Sequence, residues 1–149
     1  MTKQRPHDRS DYACFTTITT RWNDNDPYAH VNNVVYYEWF DTAINEYLIK
    51  KGVLDVENGE MVGLVVKTGC NYFVPVSFPD VIHAGIRVAK LGNSSVGYQV
   101  GIFRNDDEEA AAQGEFVHVY VNRKSRQPVS LPTPLREALK PLQIGKQEA

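Results

Sequence analysis

Cysteine is nearly absent from this chain: Cys14 and Cys70 are the only two in 149 residues, far apart and outside any CxxC or Cys/His metal spacing. They imply neither a disulfide framework nor a structural zinc site, and a reducing cytoplasm is the expected compartment. A basic excess is missing too, since 16 Lys and Arg against 18 Asp and Glu give a formal charge of -2 and a pI near 6.1. A protein that neutralises nucleic-acid phosphates or an anionic membrane needs the opposite balance, so neither partner is expected. No apolar run approaches the roughly 20 residues that span a bilayer, and the opening "MTKQRPHDRS" lacks the apolar centre of a secretory leader. There is no Gly-rich phosphate loop, no dinucleotide fingerprint and no paired-histidine zinc motif. No cofactor and no metal is therefore expected. What is present is 42% apolar residues over a length that suits one domain with its own core.

The stretch "ACFTTITTRW" alternates β-branched and aromatic residues as a half-buried strand does. From Asn33 the period changes: Tyr36, Tyr37, Phe40, Ile44, Tyr47 and Leu48 recur at three and four residues, with Glu38, Asp41, Asn45 and Lys50 between them. That spacing predicts a helix over about 33–51, with Asn32 or Asn33 as N-cap, Glu46 and Lys50 as a supporting pair, and Gly52 as the stop. Four β-like stretches follow: "EMVGLVVKTGCNYFV", "DVIHAGIRVAKL", "SVGYQVGIFR" and "EFVHVYVN". The short turn-rich segments "PVSFP", "GNS" and "NDDEEAAAQG" divide them, and short connections favour antiparallel neighbours. Five strands and one long helix predict an α+β layer pair in one domain. Prolines at 128, 132 and 134 end the last strand and leave a short C-terminal helix.

Polar residues crowd the entry to the long helix in "RWNDNDPYAHVNN". Pro27 holds Asp26 extended, and in an extended segment Asp24 and Asp26 point to the same side. A carboxylate beside the unpaired N–H groups of a helix start is what acyl-transfer chemistry needs: a base or nucleophile, and donors for the oxygen that gains charge. Asp-Pro and Asn are also ordinary turn and cap chemistry. Asp24, Asp26 and His30 as a metal cluster would lack a further strong ligand. His30 reads as an organiser of the loop, His83 and His118 as structural strand residues, Cys70 as a small apolar one, and Ser94 and Ser95 as turn residues. Arg123, Lys124 and Arg126 form a basic cluster after the last strand.

The run Trp22, Asp24, Asp26, His30, Val31, Asn32, Asn33 and Tyr36 resembles the junction W-G-D-x-D-x-x-G-H-V-N-N-x-x-Y of the hydroxybenzoyl-CoA thioesterase-like family of hotdog-fold acyl-CoA thioesterases. "NYFVPVSFPDVI" is similar to the family's Y-x-x-P-x-x-F-x-D stretch and "LGNSSVGYQV" to its G-x-S-S hairpin, so the resemblance covers about residues 14–131. Ala29 and Asn23 stand where the family often has glycine, and "LGNSS" lacks the basic cluster that holds the nucleotide in some relatives.

The resemblance implies a single hotdog domain over 12–131, with a five-stranded antiparallel sheet wrapped around one long central helix. Residues 1–11 would be a mobile N-terminal segment and 132–149 a C-terminal extension. The implied activity is hydrolysis of a fatty-acyl or aryl thioester of coenzyme A. Asp26 would act as general base or nucleophile, while N–H groups near Val31 to Asn33 polarise the carbonyl. The implied catalytic set is Asp26, His30, Asn32 and Asn33. Asp24, His30 and Asn32 would hold their loop in place, and the expected substrate-binding set is Asp24, Val31, Tyr36, Lys90, Lys124 and Arg126, with Lys124 and Arg126, beside Arg123, placed to meet the coenzyme A phosphates. The implied assembly is a homodimer or homotetramer with the site between subunits. An enoyl-CoA hydratase on the same scaffold and a non-catalytic acyl-CoA binding module are the alternatives. The hydratase pattern D-x-N-P-x-H is off the spacing of Asp26, Pro27 and His30, and a sensor would be expected to carry a second domain.

Overall fold

The computed structural model describes residues 5–143. A 3-10 turn at Arg9–Asp11 leads into β1 (Cys14–Thr19), and a second at Trp22–Asp24 precedes the helix α1 (Asn33–Lys50). β2 (Met61–Tyr72), β3 (Val81–Leu91), β4 (Ser95–Arg104) and β5 (Ala112–Asn122) follow, and α2 (Thr133–Leu139) closes the described chain with a final 3-10 turn. The strands form one antiparallel five-stranded sheet in the order β1-β3-β4-β5-β2.

α1 begins where its cap dictates: the Asn32 side-chain oxygen accepts from the Val34 N–H, and Gly52 ends it with a left-handed φ of +70 that suits a residue without Cβ. Phe40, Ala43 and Ile44 are fully buried against the sheet face formed by Ile82, Ala84 and Ile86 of β3 and Tyr98, Val100 and Ile102 of β4. Val35, Trp39 and Ala43 are buried beside the expected stripe, so the packed face of α1 is wider than the three-and-four spacing indicated. Burying each large side chain of this kind is worth about 1.5–3 kcal/mol. Gly114 on β5 makes room for Phe40, because a Cβ there would overlap its ring.

Two expectations shift. β1 stops at Thr19, because Arg21 and Asp24 pair within the Trp22–Asp24 turn and take the chain out of the sheet. β5 starts earlier than its aromatic run, since Ala110, Ala111 and Ala112 are buried and not part of a solvated acidic loop. The segment before Tyr12 is pinned from residue 7 onward: the Arg9 guanidinium donates to the carbonyls of Asn105 and Asp107, and Asp8 bridges Glu109. At the other end Leu131, Leu135, Leu139 and Leu142 join the main core.

β2 forms one edge of the sheet. Leu64, Val65 and Val66 are exposed on it, with a register irregularity between Val65 and Lys67. Among the described residues, no helix is long and apolar enough to cross a membrane.

Candidate active site

The loop between the Trp22–Asp24 turn and α1 folds back on itself. The Asp26 N–H donates to the His30 carbonyl at 2.7 Å, and Asn25 and Val31 form an isolated antiparallel bridge. Such a reversal needs a left-handed residue, and Ala29 supplies it at φ 65, in the position where relatives often carry glycine. A second segment is sewn to this loop. The Val31 N–H donates to the Val76 carbonyl at 2.7 Å, the Ser77 hydroxyl to the Ala29 carbonyl at 2.7 Å, and the Phe78 N–H to Asn25 Oδ1 at 3.0 Å.

Asp26 is half-buried, and its two oxygens have different surroundings. Oδ1 accepts from the N–H groups of Tyr28 at 2.8 Å and His30 at 3.3 Å, which fixes the carboxyl group. Oδ2 takes no hydrogen bond from the described residues. Asp24 is not beside it, contrary to the extended geometry that would point both carboxylates one way. It lies in the 3-10 turn, 1% exposed, with Oδ2 accepting from the Arg21 N–H at 2.7 Å and Oδ1 from the Arg21 guanidinium at 2.8 and 3.0 Å. Its charge is answered inside the turn, and its backbone carbonyl accepts from the Asn32 N–H at 2.9 Å. Asp24 supports the loop and does not line the cleft.

The helix-start amides also separate. Val31 N–H is taken by Val76, Asn32 N–H by Asp24 and Val34 N–H by the Asn32 side chain. Among the described residues no acceptor meets the Asn33 N–H, the first of α1. Of the N–H groups from Val31 to Val34, the positive end of this 18-residue helix therefore presents one, that of Asn33, without an acceptor among the described residues.

Asp26, His30, Val31, Asn32, Asn33 and Tyr36 line one side of a cleft of about 750 Å³. Tyr72, the last residue of β2, and Phe73, Val74 and Pro75 after it also line the cleft. These four were not singled out as site residues, although Tyr72 and Pro75 fall within the "NYFVP" stretch that carries part of the resemblance. The Tyr36 and Tyr72 rings meet edge to face at 5.0 Å, and the Tyr72 hydroxyl lies 3.5 Å from the Asn33 carbonyl. Burial pushes the Tyr36 hydroxyl up to about 12, so it stays protonated at neutral pH and can donate but not act as a base. Burial likewise pushes the neighbouring Cys70 thiol up to about 11, which leaves it a poor nucleophile.

Lys90, Lys124 and Arg126 are not brought to this cleft. Tyr72 pairs with Ala112 at one end of β5, while Lys124 and Arg126 follow Asn122 at the other, roughly 30 Å along the strand. Lys90 lies near the far end of β3 from Val81, whose neighbouring loop reaches the site. Among the described residues, no three His, Cys, Asp or Glu side chains are grouped so as to hold a metal ion.

A five-stranded antiparallel sheet packed on α1, with the Asp26 carboxylate and the Asn33 amide where that helix begins, is the arrangement of a hotdog-type domain. The chain belongs to the Thioesterase-like superfamily, whose family model matches residues 20–139. It is similar to the PA5185 protein of Pseudomonas aeruginosa strain PAO1, with 54% identity, a TM-score of 0.92, and coverage of 97% of this chain and 100% of that one. A thioesterase from Thermus thermophilus, solved in complex with coenzyme A and Zn, is 28% identical with a TM-score of 0.73 and coverage of 89% and 96%. The uncharacterized protein YsmA of Bacillus subtilis (strain 168) is 23% identical over 131 residues, 88% of each chain.

Proposed function

We propose that this protein is an acyl-CoA thioesterase, working in the cytoplasm, in which Asp26 activates the attack on the thioester. The observation that carries the reading is the asymmetry of Asp26: Oδ1 is held by two backbone amides while, among the described residues, nothing donates to Oδ2, and the cleft also contains the Asn33 N–H, which meets no acceptor among them. Oδ2 takes the proton of a water as its oxygen bonds to the thioester carbonyl carbon. The carbonyl oxygen gains charge and is met by the Asn33 N–H, a kind of contact worth on the order of 3 kcal/mol in the transition state. Collapse of the tetrahedral intermediate breaks the C–S bond, and coenzyme A leaves as thiolate and takes up a proton. Direct attack by Oδ2, giving a mixed anhydride that water then opens, uses the same free oxygen. In a single turnover in ¹⁸O-water, label in Asp26 or an unlabelled first product identifies the anhydride route with water opening it at the Asp26 carbon.

The reading includes a dimer formed along β2. Its exposed Leu64, Val65 and Val66 and its unpaired backbone groups are an edge that proteins usually cover. Twofold antiparallel pairing of two such edges would set the Met61 end of one β2 beside the Tyr72 end of the other. That would carry Lys124 and Arg126 of the partner subunit toward the Asp26 cleft, where coenzyme A phosphates need cations. The test is a panel of aryl, short, medium and long acyl-CoAs followed by free-thiol release, with sedimentation on the same sample. Hydrolysis of at least one member by a species of twice 16.8 kDa or more is expected. Absence of thiol release across the panel refutes the activity, and an active 16.8 kDa monomer refutes the assembly.

A further inference from the structure

The Ser77 hydroxyl reaches Asp26 through a single peptide group. Ser77 Oγ donates to the Ala29 carbonyl at 2.7 Å, and the N–H on the other side of that same peptide bond, that of His30, donates to Asp26 Oδ1 at 3.3 Å. A trans peptide is planar, so its carbonyl and its N–H point in opposite directions and turn together. Among the described residues the Ala29 carbonyl takes no other hydrogen bond. Bonds in such a chain also polarise one another, and each donor strengthens the next. The neighbouring contact has the same form and a different end. The Val76 carbonyl holds the Val31 N–H, and the carbonyl of that peptide, on His30, accepts from the Asp26 backbone N–H at 2.7 Å. Val76 thus fixes the backbone of Asp26, and Ser77 its carboxylate.

The second contact on that carboxylate decides its orientation. With the Tyr28 N–H alone, 2.8 Å from Oδ1, the carboxyl group can still swing about one bond. The His30 N–H is the other hold, and as the longer bond it is the more easily lost. Together the two set where Oδ2 points, and a reacting group works only when held in the right geometry. The peptide that carries the His30 N–H does not rest there unaided. Ala29 sits at φ 65, an unfavourable angle for a residue with Cβ, and such a conformation persists only where surrounding bonds fix it. Leaving that angle turns the peptide planes on either side of Ala29.

Ser77 is itself fixed to the sheet. Its N–H donates to Asp80 Oδ2 at 3.0 Å, and its carbonyl accepts from the Asp80 N–H at 2.8 Å. Asp80 Oδ1 accepts from the side-chain amide of Asn105, just past β4, at 3.0 Å, and the Asp80 carbonyl accepts from the hydroxyl of Thr20, just past β1, at 2.6 Å. A hydrogen-bonded path therefore runs from the ends of two strands through Asp80 and Ser77 to the peptide between Ala29 and His30, and from there to Asp26.

We propose that Ser77 is a positioning residue for Asp26: its hydroxyl holds the peptide between Ala29 and His30 so that the His30 N–H stays on Oδ1 and Oδ2 keeps the orientation in which it reaches the thioester. This rests on the thioesterase reading above and adds to it a residue outside the cleft. Alanine at position 77 keeps the backbone bonds to Asp80 and removes only the hydroxyl. Threonine keeps the hydroxyl, and valine copies the shape of threonine without it.

The test uses the best thioester of the panel. In Ser77→Ala kcat should fall about five- to tenfold, the effect of losing one ordinary hydrogen bond, with KM within about twofold of the parent because Ser77 does not line the cleft. Ser77→Thr should turn over at least about threefold faster than Ser77→Val, since the two share a shape and differ in the hydroxyl. Thermal unfolding followed by circular dichroism checks that each variant is folded; a serine that only stabilised the loop would lower the midpoint and leave kcat per folded molecule unchanged. A second readout needs no turnover. In ¹⁵N-labelled protein the His30 amide proton should move upfield in Ser77→Ala and Ser77→Val and stay near the parent position in Ser77→Thr. A folded Ser77→Ala protein with kcat within about twofold of the parent, equal rates for Ser77→Thr and Ser77→Val, or an unmoved His30 amide in Ser77→Ala would overturn the proposal. If the parent hydrolyses no member of the panel the thioesterase reading fails, and the His30 amide alone decides whether Ser77 holds the peptide.

Discussion

Replacing Asp26 by Asn separates the chemistry of this loop from its architecture. The bonds that shape the loop use Oδ1, at 2.8 Å from the Tyr28 N–H and 3.3 Å from the His30 N–H, and an amide oxygen can accept both. Two charge-assisted bonds become neutral ones, roughly half as strong, which in a half-buried setting costs about 1 kcal/mol. Relief of repulsion with Asp24 does not offset this, because Asp24 is already paired with Arg21. The midpoint of thermal unfolding should therefore fall by only about 2–4 °C. At Oδ2 the change is absolute: a proton acceptor becomes an NH2 group that can neither take a proton from water nor attack a carbonyl. The loss should be at least about 100-fold in kcat, near 2.7 kcal/mol of transition-state stabilisation. The Asn33 amide and the cleft walls are untouched, so KM should change little. The assay is free-thiol release on the best substrate of the panel, paired with calorimetry. A folded Asp26→Asn protein that hydrolyses this thioester at close to the parent rate would refute the role of Asp26. A fall in the midpoint beyond about 10 °C would instead mark the carboxylate as structural.

Asp24→Asn should show the opposite profile: an NH2 group in place of buried Oδ2 faces the Arg21 N–H, a donor against a donor, and the cost is about 2 kcal/mol, read as a lower denaturant midpoint. Ala29→Gly should stabilise by about 1 kcal/mol, because φ 65 is costly for a residue with Cβ, and chemical denaturation measures the gain. Stability should also fall in alkali: burial holds the Tyr36 and Tyr120 hydroxyls up to about 12 in the folded chain, against about 10 when unfolded. Their contribution is complete below pH 10 and is lost as pH rises from there through 12, by up to about 1.4 kcal/mol per tyrosine per pH unit. Unfolding curves collected across that range check the slope.

The helix α1 and the strand sequence were legible because they rest on local chemistry. Asn32 and Gly52 mark the ends of α1 in the sequence as they do in the structure, and the alternation of Ile82, Ala84, Ile86 and Val88 marks the inner face of β3. The position of Asp26 beside a helix start was legible for the same reason. The state of the helix-start amides was not, because the acceptor that occupies Val31 N–H belongs to Val76, 45 positions away in the chain. Asp24 looked like a second site carboxylate because the alternation of "TTITTRW" continues through Arg21, and periodicity does not register an ion pair that breaks a strand.

The stitching between the loop at 25–31 and the segment at 76–78 has a kinetic consequence. The amides of Asp26, Val31 and Phe78 are closed by bonds of 2.7, 2.7 and 3.0 Å to partners outside any helix or strand, and opening one strains the others. Their protons should exchange with solvent far more slowly than those of an ordinary surface connection, approaching the rates of the sheet. On the proposed role of Asp26, a carboxylate mounted on so slow a seam would meet each substrate in a geometry set before arrival, with little reorganisation left to make during the reaction.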